Sequence, residues 1–143
     1  MLNFTRFAVA FACLAAVAGC GDSGPERTTC AGTVTLDGTP LEEGAIAFLP
    51  TGDTQGPSAG GEIVNGHYEV EDVVVGTNRV EIRGWKKTGR QLPKVDNFLG
   101  GGAAEEMIQI VPAKYNTLSE EIHRIGAKQH VLDFDLHSSP ASG

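Results

Sequence analysis

Asn65-Gly66 stands between two short alternating runs, Glu62-Ile63-Val64 and His67-Tyr68-Glu69-Val70. Both central residues of a type I′ turn need positive φ, which Asn and Gly tolerate, so this pair is the strongest short hairpin signal in the chain. Asp37-Gly38 repeats it after the alternating run Thr33–Leu36. The same period of two returns further on. In Asn78–Arg83, Val80 and Ile82 point one way while Arg79, Glu81 and Arg83 point the other. Leu132, Phe134 and Leu136 line one face of a last strand, with Asp133 and Asp135 opposite. The reading is all-β.

The breaks between these runs agree. Pro40 cannot donate to a mid-sheet ladder, which places an edge or a bend near Leu41. Ala45–Leu49 is a compact apolar run stopped by Pro50, and Thr51–Gly61, with four glycines and a proline, reads as a loop. Abundant glycine (19 residues) and few aromatics (6%) suit many short strands with tight turns. One stretch reads two ways. Thr117 and Glu120 have capping-box spacing, with Ile122, Ile125 and Gly126 following. As a strand, Leu118, Glu120 and Ile122 share a face instead, and the strand is the preferred reading.

Phe7–Ala18 is a nearly unbroken apolar run behind a start carrying only Arg6, and it ends in Val17-Ala18-Gly19-Cys20. It is too short for a permanent span, which needs about 20 apolar residues, but it fits a secretory signal with a small-residue cleavage site. With a cysteine just after the cut, it resembles the lipobox of bacterial lipoproteins. The resemblance implies a cleaved signal at residues 1–19, and a diacylglyceryl group and a further acyl chain such as palmitate on Cys20. Two or more chains hold a protein to a bilayer stably, each buried methylene contributing about 0.8 kcal/mol. An ordinary secreted protein with a free Cys20, and an uncleaved signal anchor, are the alternatives. The expected organisation is a lipidated cysteine and polar tether at 20–29, a single domain at 30–137, and a flexible tail at 138–143.

Three cysteines are present. Cys13 would leave with the signal and Cys20 would be acylated, so Cys30 has no internal partner. It is either a small buried residue at the start of the first strand or, less commonly, a thiol for an intermolecular bond. The formal charge of −7 argues against nucleic acid or an anionic lipid surface as partner.

Gly32-Thr33-Val34-Thr35-Leu36-Asp37-Gly38-Thr39-Pro40-Leu41, Gly44–Pro50, Asn65-Gly66-His67-Tyr68 and Asn78–Gly84 follow one another in a familiar order. Together with Pro112-Ala113-Lys114-Tyr115-Asn116 and Leu132–Leu136, this order is similar to bacterial lipoproteins with a carboxypeptidase regulatory-like, or transthyretin-like, domain. The resemblance covers residues 30–137. It implies a single Ig-like or transthyretin-like Greek-key β-sandwich of about seven strands. Members usually carry Pro-Gly where this chain has Val75-Gly76. The family name comes from a non-catalytic module of metallocarboxypeptidases, so it implies no peptidase activity and no cofactor.

Residue types that carry chemistry are scattered. His67, His123, His130 and His137 show no helical zinc-protease spacing. Asp133 and Asp135, about 6.5–7 Å apart on one strand face, supply too few oxygens for calcium. Of the serines, Ser58 alone has Gly-x-Ser-x-Gly spacing, in Gly56-Pro57-Ser58-Ala59-Gly60, but it stands in the stretch read as a loop and not at the strand-to-helix turn an elbow needs. Glu42-Glu43, Glu105-Glu106 and Glu120-Glu121 are neighbours that a strand sends to opposite faces. The feature above background is a basic segment: Arg79, Arg83, Lys86, Lys87, Arg90 and Lys94, opposed only by Glu81, with the sole tryptophan, Trp85, among them. Residues 84–102 read as a long loop, and such loops are often functional. Arg83, Trp85, Lys86, Lys87, Arg90 and Lys94 are therefore the candidate partner-binding residues, for an envelope protein, glycan or lipid headgroup. The plainer reading is a solvated loop whose cations balance an acidic domain. The expected function is a membrane-anchored, extracytoplasmic, non-catalytic binding or structural module of the cell envelope. A small metal-dependent or hydrolytic enzyme of the envelope is the alternative.

Overall fold

The computed structural model describes residues 24–93 and 104–138. Ten strands follow one another: β1 (Arg27–Leu36), β2 (Thr39–Pro40), β3 (Glu43–Pro50), β4 (Ala59–Val64), β5 (His67–Val74), β6 (Gly76–Gln91), β7 (Glu105–Gln109), β8 (Ile122–Ile125), β9 (His130–Val131) and β10 (Phe134–Leu136). A single 3₁₀ turn, Ala113–Tyr115, is the helical element among the described residues. The fold is all-β, as the alternating runs require. No helix among the described residues is long and apolar enough to cross a membrane.

Both Asx-Gly pairs make the turns expected of them. Asp37 and Gly38 have φ of 51° and 80°, and Asn65 and Gly66 have 49° and 77°, the double positive φ of a type I′ turn. The first joins Leu36 to Thr39 and the second Val64 to His67. Pro40 sits at the end of the two-residue β2, which pairs with β1.

The sheet runs β10-β1-β5-β4-β3-β6-β7, with β2 and β9 also on β1 and β8 also on β6. Strands β3, β4 and β5 form a meander whose last strand, β5, returns beside β1, which is Greek-key order. The sheet is mainly antiparallel; β9 and β10 join β1 in parallel. It curls until the β10 end reaches β8 and the 3₁₀ turn. The His137 N–H donates to Tyr115 Oη at 3.1 Å, and the His123 ring stands edge-on to Phe134 with centroids 5.4 Å apart. The interior holds Val34, Ile46, Phe48, Ile63, Val70, Val80, Ile82 and Phe134, each from an alternate strand position. Tyr68 lies between Phe48 and Phe134, centroids 6.3 and 6.2 Å away. Cys30 is fully buried in β1 and free, so burial wins over the intermolecular alternative.

Four expectations are corrected. The loop expected over Thr51–Gly61 gives way to β4 at Ala59, because Ala59, Gly60 and Gly61 already pair with Phe48, Ala47 and Ile46. The tether was expected to reach residue 29, but β1 begins at Arg27, because Arg27 and Thr28 already pair with Val74 and Val73. The Thr117–Gly126 segment is neither a helix nor a strand from Leu118. A turn held by Asn116, whose Nδ2 donates to the Val111 and Pro112 carbonyls at 3.2 and 3.1 Å, precedes β8. The loop expected over 84–102 is strand as far as Gln91, laddered to β3 through Trp85 and to β7 beyond it. The signal and Cys20, the segment 94–103 and the tail from 139 lie outside the described residues.

Candidate functional site

Strand β6 outruns the sandwich. Its first half is covered by β3 and β8, and its second half pairs, among the described residues, only with β7, making a two-stranded ribbon. Asn78, Val80, Ile82 and Gly84 are buried, so Arg79, Glu81, Arg83, Trp85 and Lys87 share the opposite face. The basic residues that looked like one cluster are therefore split between two faces by strand geometry.

Most of them are also already paired. Glu81 accepts from Arg79 Nη2 at 3.0 Å and stands 3.7 Å from Arg83 Nη2. Lys87 Nζ is 3.4 Å from Glu43 Oε1, and Arg90 Nη1 is 3.9 Å from Glu106 Oε1. Such surface pairs stabilise by about 0–1 kcal/mol each, so they balance charge more than they hold the fold. Lys86 differs: it makes no ion pair among the described residues. Lys94, like Cys20, lies outside them.

At the root of the ribbon, Trp85 and Lys86 line a cleft of about 160 Å³ with Leu36, Pro40, Leu41 and Ile110, and with the polar Thr39 and Glu42. Gly84 makes it. A Cβ there would meet Leu41 Cδ1 at 2.6 Å and Val111 Cγ2 at 2.8 Å, so only glycine lets the β2–β3 bend close over β6. Trp85 is half-buried and Lys86 exposed. The cleft can receive one apolar side chain or ring, with a cation at its rim. Sequence reading picked out Trp85 and Lys86 but not Leu36, Pro40 or Ile110, which reach the site from sequence-distant strands. The only signal available was Pro40-Leu41 directly after the Asp37-Gly38 turn.

The other candidates go into structure. Asp133 Oδ1 accepts from the Thr33 N–H and hydroxyl at 2.8 and 2.9 Å, and Asp135 Oδ1 from the Thr35 hydroxyl at 2.6 Å, so both lace β10 onto β1. Ser119 Oγ donates to the Val80 carbonyl. His123 pairs with Glu121 at 3.3 Å, while His67, His130 and His137 lie on other strands or strand ends. Among the described residues no three His, Cys, Asp or Glu side chains gather as a metal would require.

No protein-family model matches the chain, and no curated protein does. Among solved structures, a 9R-lipoxygenase from Cyanothece PCC8801 is similar at 15% identity and a TM-score of 0.37, over 78% of this chain and 16% of that one. The chain thus spans a small part of that protein's length, and a likeness this loose bears on neither fold nor function.

Proposed function

We propose that this chain is an extracytoplasmic lipoprotein of the carboxypeptidase regulatory-like group, acting as a non-catalytic binding module of the cell envelope. The observation that carries the binding reading is Lys86, a cation without an ion-pair partner among the described residues, beside a largely apolar cleft that Trp85 lines together with Glu42. Trp85 is laddered to β3 and β7 and Lys86 to β7, so little backbone ordering entropy is lost when a partner docks. The anchoring reading is supported by Val17-Ala18-Gly19-Cys20 and by the polar stretch Gly21–Glu26 that separates it from β1. Its last residue is already seated on the domain, the Glu26 carbonyl accepting from the Val75 N–H at 2.8 Å, so a tether would end before it.

Two substitutions test the two halves separately. Cys20→Ser is expected to move the chain from the membrane fraction to the soluble fraction. Retention of the serine variant in the membrane would refute acylation as the anchor. Lys86→Glu is expected to weaken capture of solubilised envelope components roughly tenfold, more at low salt than at high, while Lys87→Glu, whose native partner is Glu43, changes it little. Equal effects of the two would remove the cleft from the account.

A further inference from the structure

We propose that the outer edge of β7 is a self-docking edge, on which a second copy of this chain adds its own β7 in antiparallel order. Strand β7 ends the sheet, and among the described residues nothing pairs beyond it. The Ile110 N–H donates to the Gly84 carbonyl at 2.9 Å, and Lys86 stands opposite Ile108. Backbone groups alternate in direction along a strand, so those of Glu105, Met107 and Gln109 point outward, unmatched.

Edge strands are ordinarily guarded by proline, charge, a bulge or shortness; β7 has neither proline nor lysine, its register shift lies toward the Glu105 end, and its guard is the pair Glu105 and Glu106. Its two carboxylates are tied back into the ribbon. Glu105 Oε1 accepts from the Gly89 N–H at 3.1 Å, and Glu106 Oε2 from the Thr88 hydroxyl at 2.9 Å. Met107 and Ile108, on opposite faces, remain 43% and 48% exposed.

The register follows from the hydrogen-bonding positions and the charges. A two-fold axis at Met107 sets Glu105 against Gln109 of the second copy, so every outward group finds a partner. Moving the axis to Glu106 would oppose that carboxylate to its own copy, a destabilising like-charge pair. With the axis at Met107, Glu106 instead faces Ile108 of the second copy, whose other neighbour is Lys86 of the second copy. The cation left unpaired in one molecule therefore shares a face with a carboxylate of the other, two strand spacings or about 10 Å away. Glu106 keeps its Thr88 and Arg90 contacts within its own ribbon, so the attraction acts across that gap at low salt and not as a direct ion pair. Five residues a side is less than a standard interface, so the pairing is weak and concentration-dependent.

The test is disulfide trapping in the purified full-length chain, with no envelope component present, so that it stands apart from the capture experiment on the cleft. In a hydrogen-bonded antiparallel pair, facing Cα atoms lie about 5.5 Å apart, within disulfide span. Met107→Cys is exposed and leaves the core intact; the buried Cys30 and any free Cys20 are common to every variant. Mild oxidation is expected to dimerise Met107→Cys on the order of tenfold faster than Val131→Cys, a 68% exposed control on β9, as pairing raises local concentration toward mM. A mixture of Glu105→Cys and Gln109→Cys chains should cross-link to each other and not to themselves. Equal rates for Met107→Cys and Val131→Cys, or self-linking of Glu105→Cys, would overturn the proposal.

Discussion

Gly32→Ala is expected to destabilise the domain by about 3 kcal/mol or more, read as a lower midpoint in urea or thermal unfolding. The methyl carbon would stand 1.8 Å from the Leu132 carbonyl oxygen and 2.7 Å from its carbon. Backbone cannot swing aside as a side chain can, and this stretch is pinned from three directions. The Leu132 N–H donates to the Ala31 carbonyl at 3.0 Å, its carbonyl accepts the Tyr68 hydroxyl at 2.7 Å, and Asp133 accepts the Thr33 N–H at 2.8 Å. Relief of the clash breaks at least one of these and lifts the β9–β10 crossing from β1. Gly38→Ala provides the contrast. No atom lies within 4 Å of its added methyl, but its φ of 80° costs an L-residue about 1–2 kcal/mol. Equal losses at the two positions would mean that the crossing is not seated on Gly32.

That crossing also marks the boundary of what the sequence can reveal. Turns and alternation are local, so Asn65-Gly66, Asp37-Gly38 and the Val80/Ile82 face of β6 were legible from neighbouring residues alone. The parallel pairing of β9 and β10 with β1 joins positions about a hundred residues apart, and nothing local in Gly32 announces the carbonyl above it. The ribbon was missed for a different physical reason. Lys86-Lys87-Thr88-Gly89-Arg90-Gln91 buries neither face once β6 leaves the sandwich, so no period of two is imposed on it, and a solvated two-stranded ribbon has the composition of a loop. The candidate site inherits that asymmetry. Its tryptophan and lysine stood out by composition, while its apolar walls come from a bend near Pro40 and from Ile110 beyond β7, which no spacing along the chain connects.

The second large effect expected is alkaline unfolding, driven from inside the core. Burial pushes the Cys30 thiol from its ordinary 9.0 up to about 11, because the thiolate finds neither water nor a cation in β1. Burial also raises the Tyr68 phenol well above its ordinary value, with the nearby Cys30 and Asp133 acting in the same direction. The folded state therefore holds protons that the unfolded chain has already released. Stability is fully present below the unfolded thiol value and falls as pH rises from there toward the folded one. Cys30 alone removes about 2–3 kcal/mol across that window, and Tyr68 extends the loss to higher pH. Urea midpoints are expected to be flat with respect to this pair up to about pH 9 and to drop steeply above it. Cys30→Ala leaves a small cavity, and lowers stability near neutrality by about 1 kcal/mol, yet flattens the first part of that drop. Wild-type and Cys30→Ala curves that fall in parallel above pH 9 would show the thiol ionising without penalty, and with it that β1 does not seal this end of the core.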